Sequence, residues 1–233
     1  MTSYQQNYSH APLVAEVSGP YACFTRPELK AERFSYEVMT PSAARGVLEA
    51  IFWKPEFRYV VTRIEVLNPI RWMSVRRNEV KHMTTLDWVR KAATDPTERF
   101  DAEADRDQRN AVILRDVGYR IYAQMLLQPH ADANVAKFRD QFRRRVTRGA
   151  CFSQPFLGTR EFSAAFGPPT GQRPFPQSKD LGVMLHSIAY TGGKETYRWF
   201  HAVLDNGVMH IPPAGAELPS AYRGSTAPKA ARC

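Results

Sequence analysis

The chain has 233 residues, 43% of them hydrophobic, and carries 32 Lys and Arg against 23 Asp and Glu, a formal charge of +9. That is too much apolar material for a disordered chain and enough for one sizeable core with a smaller appendage. The basic excess favours a polyanionic partner such as a nucleic acid. Cys23, Cys151 and Cys233 form no CxxC pair, and the six histidines never fall at an HxxxH spacing, which argues against a disulfide framework or a zinc site. No apolar run reaches the roughly 18 residues of a membrane helix, and Met1 to Asn7 lack the regions of a signal peptide. The expectation is a cytoplasmic protein that uses no metal, no cofactor and no membrane.

In chain order, residues 1–12 are polar and read as a flexible tail, and Leu13 to Val17 as a first strand. Thr40 is a good N-cap, Pro41 suits the first helical position, and Ala44, Val47, Leu48 and Ile51 then recur at i, i+3, i+4 and i+7. Pro55 ends this helix. Phe57 to Val66 alternates as a strand, Asn68-Pro69 breaks it, and Ile70 to Val75 is expected to pair back as a hairpin. Residues 81–110 are mostly charged and polar, an inserted helix and loop. Val112 to Leu127 reads as a strand, with Gly118 marking a turn or bulge. Asn134 to Arg148 is a second helix, with Val135, Phe138, Phe142 and Val146 as its buried stripe and Gly149 as its stop. Residues 151–211 read as a small β-rich C-terminal part, with a hairpin at Asp205-Asn206-Gly207. Residues 212–233 are rich in Pro, Ala and Ser and read as a disordered tail. A strand–helix–strand start followed by a hairpin makes residues 13–150 an α+β core of the ferredoxin-like kind.

Neither a Rossmann fingerprint nor a Walker A motif is present, which counts against nucleotide-dependent enzymes. The strongest functional signal is the helix at 134–148. Lys137, Arg139, Arg143, Arg144, Arg145 and Arg148 face a single acid, Asp140, and guanidinium forks suit phosphate oxygens. The bland alternative is a basic face paired with acidic loops. A second basic cluster, Arg71, Arg76, Arg77, Lys81 and His82, lies near Trp72 and Trp88, an interleaving used on single-stranded RNA; tryptophans near strands are more often core. His186 reads as a satisfied half-buried group, and His82 as the better acid–base candidate. Cys151 has Arg148 nearby but no partner base.

The run from Glu32 to Pro55 carries more than local structure. Together with Phe24-Thr25-Arg26-Pro27-Glu28, Arg76-Arg77-Asn78-Glu79 and Leu157-Gly158-Thr159-Arg160-Glu161-Phe162, it resembles the type I-C CRISPR Cascade subunit, the Cas-five family of subtype d. The resemblance covers Val17 to Ile211. It implies a ferredoxin-like (RNA-recognition-like) core with an extended β-hairpin and a small β-rich C-terminal part. It also implies binding of the 5′ handle of CRISPR RNA and metal-independent cutting of the precursor repeat RNA, by attack of a ribose 2′-OH on the adjacent phosphate. The implied partners are the backbone, large and small subunits of Cascade, with target DNA contacted in the complex.

The family's usual catalytic set is a tyrosine or histidine just before Trp-Lys-Pro, and an adjacent Lys-His pair. In this chain the first position is Phe52, and the pair is Lys137-Phe138. Neither phenylalanine can move a proton. Two outcomes follow from the resemblance. Either cleavage survives, with Lys137 stabilising the phosphate and Tyr36 or His82 in an acid–base role, or the subunit grips the handle and another ribonuclease cuts. The handle-binding set expected on this reading is Arg45, Arg76, Arg77, Arg139, Arg143, Arg144 and Arg160. Arg160 sits in a glycine-containing loop where backbone can approach a ligand. Sequence-independent binding of duplex DNA is a third reading; the basic clusters allow it, but no DNA-reading motif accompanies them.

Overall fold

A computed structural model describes residues 8–29, 31–132 and 134–217. The elements are β1 (Leu13–Ala22), α1 (Pro41–Ile51), β2 (Phe57–Val66), β3 (Trp72–Val80), α2 (Leu86–Thr94) and β4 (Arg106–Leu127), then α3 (Val135–Arg148), β5 (Ala165–Gly167), β6 (Lys179–Thr191), β7 (Lys194–Asp205) and β8 (Val208–His210). The strands form one antiparallel sheet in the order β5-β1-β4-β2-β8-β7-β6, with β3 paired to β4 off that path. This is an α+β fold with few helices. No helix among the described residues is long and apolar enough to cross a membrane.

Local chemistry accounts for the two core helices. Thr40 Oγ1 accepts the Ala43 amide at 3.2 Å, Pro41 opens α1, and Ala44, Val47, Leu48 and Ile51 are all buried. In α3, Asn134 Oδ1 caps the Ala136 amide at 2.9 Å, and Gly149 stops the helix with a left-handed φ of 64°. Phe138, Phe142 and Val146 are buried on α3. The helices touch each other, α1 packing on β2 and β6 and α3 on β1, β4 and β5. Between them and the sheet lies the main core.

Strand pairing departs from the expectations in several places. Ile70 to Val75 does not pair back on β2: β3 pairs with β4 from Trp72↔Leu114 to Val80↔Arg106. β4 is longer than Val112 to Leu127 by the six residues from Arg106, and the segment between the paired strands is 81–105, not 81–110. The break in β4 is at Asp116 (φ 51°), where the strand passes from β3 to β2 as partner; the Asn68 side chain spans it by donating to the Asp116 carbonyl at 2.9 Å. Gly118 is a close approach and not a turn, since a Cβ there would meet the Asn68 side chain at 3.2 Å. In β2 the core-facing parity changes between Tyr59 and Ile64, and the register shift between Val61 and Arg63 is the bulge that allows it. The Asn206-Gly207 turn has positive φ at both residues, 46° and 79°, as a type I′ hairpin turn requires.

The N-terminal expectation also changes. Residues 10 and 11 belong to no free tail: Gln124 donates to the His10 carbonyl at 2.9 Å, and Arg139 donates to the Ala11 carbonyl. Residues 1–7 and 218–233, including Cys233, lie outside the described residues, so most of both tails does too. The first residues of the C-terminal segment are paired, Ala216 bridging Trp199 on β7.

One buried charge cluster ties the central strands. Arg120 on β4 donates to Glu16 on β1 at 2.8 Å, to Glu65 on β2 at 2.6 Å and to the Gln172 carbonyl at 2.5 Å. Glu65 and Arg120 are 5% and 7% exposed, so losing the cation leaves the buried Glu65 carboxylate with only Arg63, at 3.3 Å, as its counter-charge. Arg120→Ala is expected to destabilise the fold by about 3 kcal/mol or more. Urea unfolding of wild type and variant checks this, and an unchanged midpoint would contradict it.

Candidate RNA interface and active site

The C-terminal end of α1 is locked by three other elements. The Phe152 and Ser153 amides both donate to the Ala50 carbonyl, at 2.9 and 3.1 Å. Arg145 on α3 donates to the Ile51 carbonyl at 2.9 Å, and the Tyr59 hydroxyl on β2 donates to the Phe52 carbonyl at 2.8 Å. These partners satisfy carbonyls that a helix end leaves open. The consequence is a rigid exit for Phe52-Trp53-Lys54.

The two motif positions separated by 86 residues in sequence meet here. The Phe52 and Phe138 ring centroids are 6.5 Å apart, and Phe57 lies 5.4 Å from the first and 5.2 Å from the second. Phe52 and Phe138 are 1% and 5% exposed. The Arg145 guanidinium lies 5.3 Å from the centre of the Phe52 ring. Lys137, next to Phe138, is exposed on α3. Such a site can present positive charge to a phosphate, but its two central rings carry no proton. Tyr59 is the nearest phenol, and burial pushes its pKa well up, with Glu49 adding to this and Arg145 opposing. Burial also raises the Glu49 carboxyl, against the pull of Arg45.

The remaining candidates fall in different places. Tyr36 is 1% exposed, and burial pushes its phenol up to about 12; it is a core residue beneath Arg26, with no free face for a base to stack on. His82 is exposed but lies at the far end of the long hairpin, where its ring meets Asp105 at 2.5 Å and its amide donates to the same carboxylate. Lys137 lies at the other end of β4, since its neighbour Phe138 packs on Phe57, which pairs with Leu127. The 22 residues of β4 give a contour of about 70 Å. Lys137, Tyr36 and His82 are therefore not one catalytic group.

Among the arginines, Arg139 is a correction: it is 4% exposed and fastens the N-terminal segment, so it cannot meet a phosphate. Burial pulls its pKa down, helped by Arg143. Arg143 is exposed and pairs with Asp140 at 3.1 Å, and Arg45 pairs with Glu49 at 3.5 Å along α1. Arg144 and Lys137 are exposed and form no ion pair among the described residues, and the same holds for Arg76 and Arg160. Arg76 and Arg77 point to opposite faces of β3, as neighbours in a strand must. Trp72 rests on Phe34 and Trp88 on Phe100, with centroids 5.4 and 5.9 Å apart. His186 is half-buried and bonded to the Pro212 carbonyl at 2.9 Å.

Arg77 instead belongs to a latch on the outer half of the β3–β4 ladder, where it faces Arg109. Glu161, in the loop that carries Arg160, accepts from Arg77 at 2.8 Å and from Arg33 at 3.0 Å; Glu79 accepts from Arg77 at 2.6 Å. The Glu161 carboxyl is held down at about 2, first by its own backbone amide, then by Thr159 and Arg33. A depressed carboxylate stabilises the fold fully above its ordinary value of 4.5 and loses that contribution as pH falls through about 2. The stability difference between wild type and Glu161→Gln is thus expected to be constant above about pH 5 and to shrink below it. Urea unfolding at a series of pH values checks this; a difference that grows in acid would contradict it. The sequence places Glu161 beside Arg160 and Arg145 on the basic helix, but it does not announce the role of either, Glu161 accepting from Arg77 and Arg33 and Arg145 closing α1. The partners of both come from parts of the chain far away.

Residues 12–218 match the family model Cas_Cas5d, described as CRISPR-associated protein (Cas_Cas5). The chain belongs to the Cas5d family. A protein of Mannheimia succiniciproducens named CRISPR pre-crRNA endoribonuclease Cas5d is 45% identical over 214 residues, covering 85% of this chain and 94% of that one. A Thermus thermophilus protein of the same name is 48% identical over 221 residues, covering 87% and 92%. The fold is similar to the crystal structure of a CRISPR-associated protein, with a TM-score of 0.63 and 25% identity over 89% of this chain and 94% of that one.

Proposed function

We propose that this chain is the Cascade subunit that binds the 5′ handle of CRISPR RNA and cuts the precursor repeat RNA just 5′ of it, without a metal ion. The observation that carries this reading is the meeting of Phe52, Lys137 and Phe138 at one rigid corner, in a chain whose relatives are named pre-crRNA endoribonucleases. The reaction is attack of a ribose 2′-OH on the adjacent phosphate, expelling the 5′ oxygen. Lys137 stabilises the charge that builds on the phosphorane oxygens, and the locked α1 exit holds the strand in line. No side chain at 52 or 138 relays the proton, so water takes it and the chemical step is slow.

The order β5-β1-β4-β2 with α1 and α3 on one side supports reading the core as ferredoxin-like, β3 extending the hairpin. Residues 151–211 add the β-rich part. Handle phosphates are met by Arg45, Arg76, Arg143, Arg144 and Arg160, with the neighbouring backbone, large and small Cascade subunits completing the channel and target DNA touched only in that complex, in the cytoplasm.

A second reading has its own support. The tight aromatic packing of Phe52, Phe57 and Phe138 suits a subunit that keeps the grip and leaves cutting to another ribonuclease. The handle-binding part, common to both readings, is tested by a gel shift comparing handle RNA with duplex DNA of equal length. Preferential binding of the RNA is expected. Equal affinity with the same salt slope would contradict handle recognition.

A further inference from the structure

Two large aromatic side chains stand exposed at the corner just described. Trp53 is 54% exposed, and Phe152 is 83% exposed. Large rings in water need a reason when they are grouped. They are grouped here, because the Phe152 amide is bonded to the Ala50 carbonyl, three residues before Trp53. Neither ring stacks on another aromatic ring among the described residues, although the buried rings beneath them do so repeatedly.

The backbone under both rings is fixed by the bonds that close α1. Phe152 and Ser153 hold the Ala50 carbonyl, Arg145 holds that of Ile51, and Tyr59 holds that of Phe52. The rings are therefore presented from a rigid support, so little conformational freedom is lost when something settles on them. Their surroundings are basic. Lys54 follows Trp53, Arg148 ends α3 four residues before Phe152, and Arg144 lies one turn earlier; all three are exposed and form no ion pair among the described residues.

We infer that Trp53 and Phe152 are a stacking pair that holds unpaired bases of the repeat RNA beside Lys137, with Lys54, Arg144 and Arg148 taking the flanking phosphates. The inference rests on the RNA-binding reading above and names two residues for it. Rings stack on any base, so the pair positions the strand without reading its sequence. A protein face would want an apolar surround, whereas this one offers unpaired cations; charge complementarity selects single-stranded RNA. Stacked bases would fix the ribose at the cut, a positioning role and not a chemical one.

The test is equilibrium binding of single-stranded repeat RNA, 2′-deoxy at the cut so that it stays intact, to the full chain and to Trp53→Ala and Phe152→Ala. Each variant is expected to bind roughly 5- to 100-fold more weakly, with the same slope of affinity against salt, because no phosphate contact is lost. Trp53→Phe and Phe152→Tyr should restore most of the affinity. An abasic site at the stacked nucleotide should reproduce the loss and add nothing to it in the alanine variant. Wild-type affinity in both folded alanine variants overturns the pairing; if those variants instead fail to assemble with the other Cascade subunits, the face is a protein interface. Absence of RNA binding by the wild type is a separate result, which overturns the RNA-binding reading itself and this inference with it.

Discussion

Phe138→His is expected to speed precursor cleavage by about 10² to 10⁴-fold, the usual worth of a placed acid or base. The new imidazole would stand beside Lys137, in the ring cluster with Phe52 and Phe57. There it could take the 2′-OH proton, as a neutral imidazole must to act as a base. Burial disfavours the charged imidazole, so the variant's rate should rise as pH increases through a value at or below the ordinary ~6.5. Phe138→Leu is the packing control. It keeps an apolar side chain and should leave the rate near wild type. Single-turnover cleavage of end-labelled repeat RNA reads both. A histidine variant no faster than wild type, with RNA affinity intact, would mean that proton transfer does not limit this site.

Lys137→Ala is expected to slow cleavage by about 10² to 10³-fold, the cost of removing one well-placed group that stabilises developing negative charge. The loss should fall on the chemical step. Lys137 is exposed and holds nothing in the fold, forming no ion pair among the described residues, so thermal stability should be unchanged. RNA affinity should fall only modestly, because the salt slope changes by about one phosphate. A variant that binds several hundred-fold more weakly but cuts at the wild-type rate once bound would place Lys137 in the grip instead of the chemistry.

What could be read from the sequence was mostly what neighbouring residues decide among themselves. Thr40, Pro41 and the 3.6-residue spacing of Ala44 to Ile51 fix α1 with no help from the rest of the chain. Asn134 and Gly149 do the same for α3. Partner choice was not local. Ile70 to Val75 holds nothing that says β4 in place of β2, and the outer hairpin, wet on both sides, shows no apolar alternation to announce Arg106 to Asn110 as strand. Charge was the hardest to read. Arg139 is written like the rest of a basic helix face, but it is buried and bonded to the Ala11 carbonyl. Arg120 occupies a strand position that looks solvent-facing and is buried between two glutamates from other strands. The basic helix that carries Lys137 was legible from its own residues, whereas its link to Phe52 came only through resemblance; the structure brings Phe52 and Phe138 to one corner. Trp53 and Phe152 carry no periodicity, and their exposure follows from how the end of α1 is locked.

The most direct test of the central claim is incubation of the full chain with end-labelled repeat RNA in EDTA, beside the same RNA carrying a single 2′-deoxy sugar at the expected cut. A slow, single cut 5′ of the handle that survives EDTA and disappears with the deoxy sugar is the predicted result. Tight binding of both RNAs with no cut under any condition would contradict it, and would show that the aromatic pair at 52 and 138 belongs to a subunit that only grips.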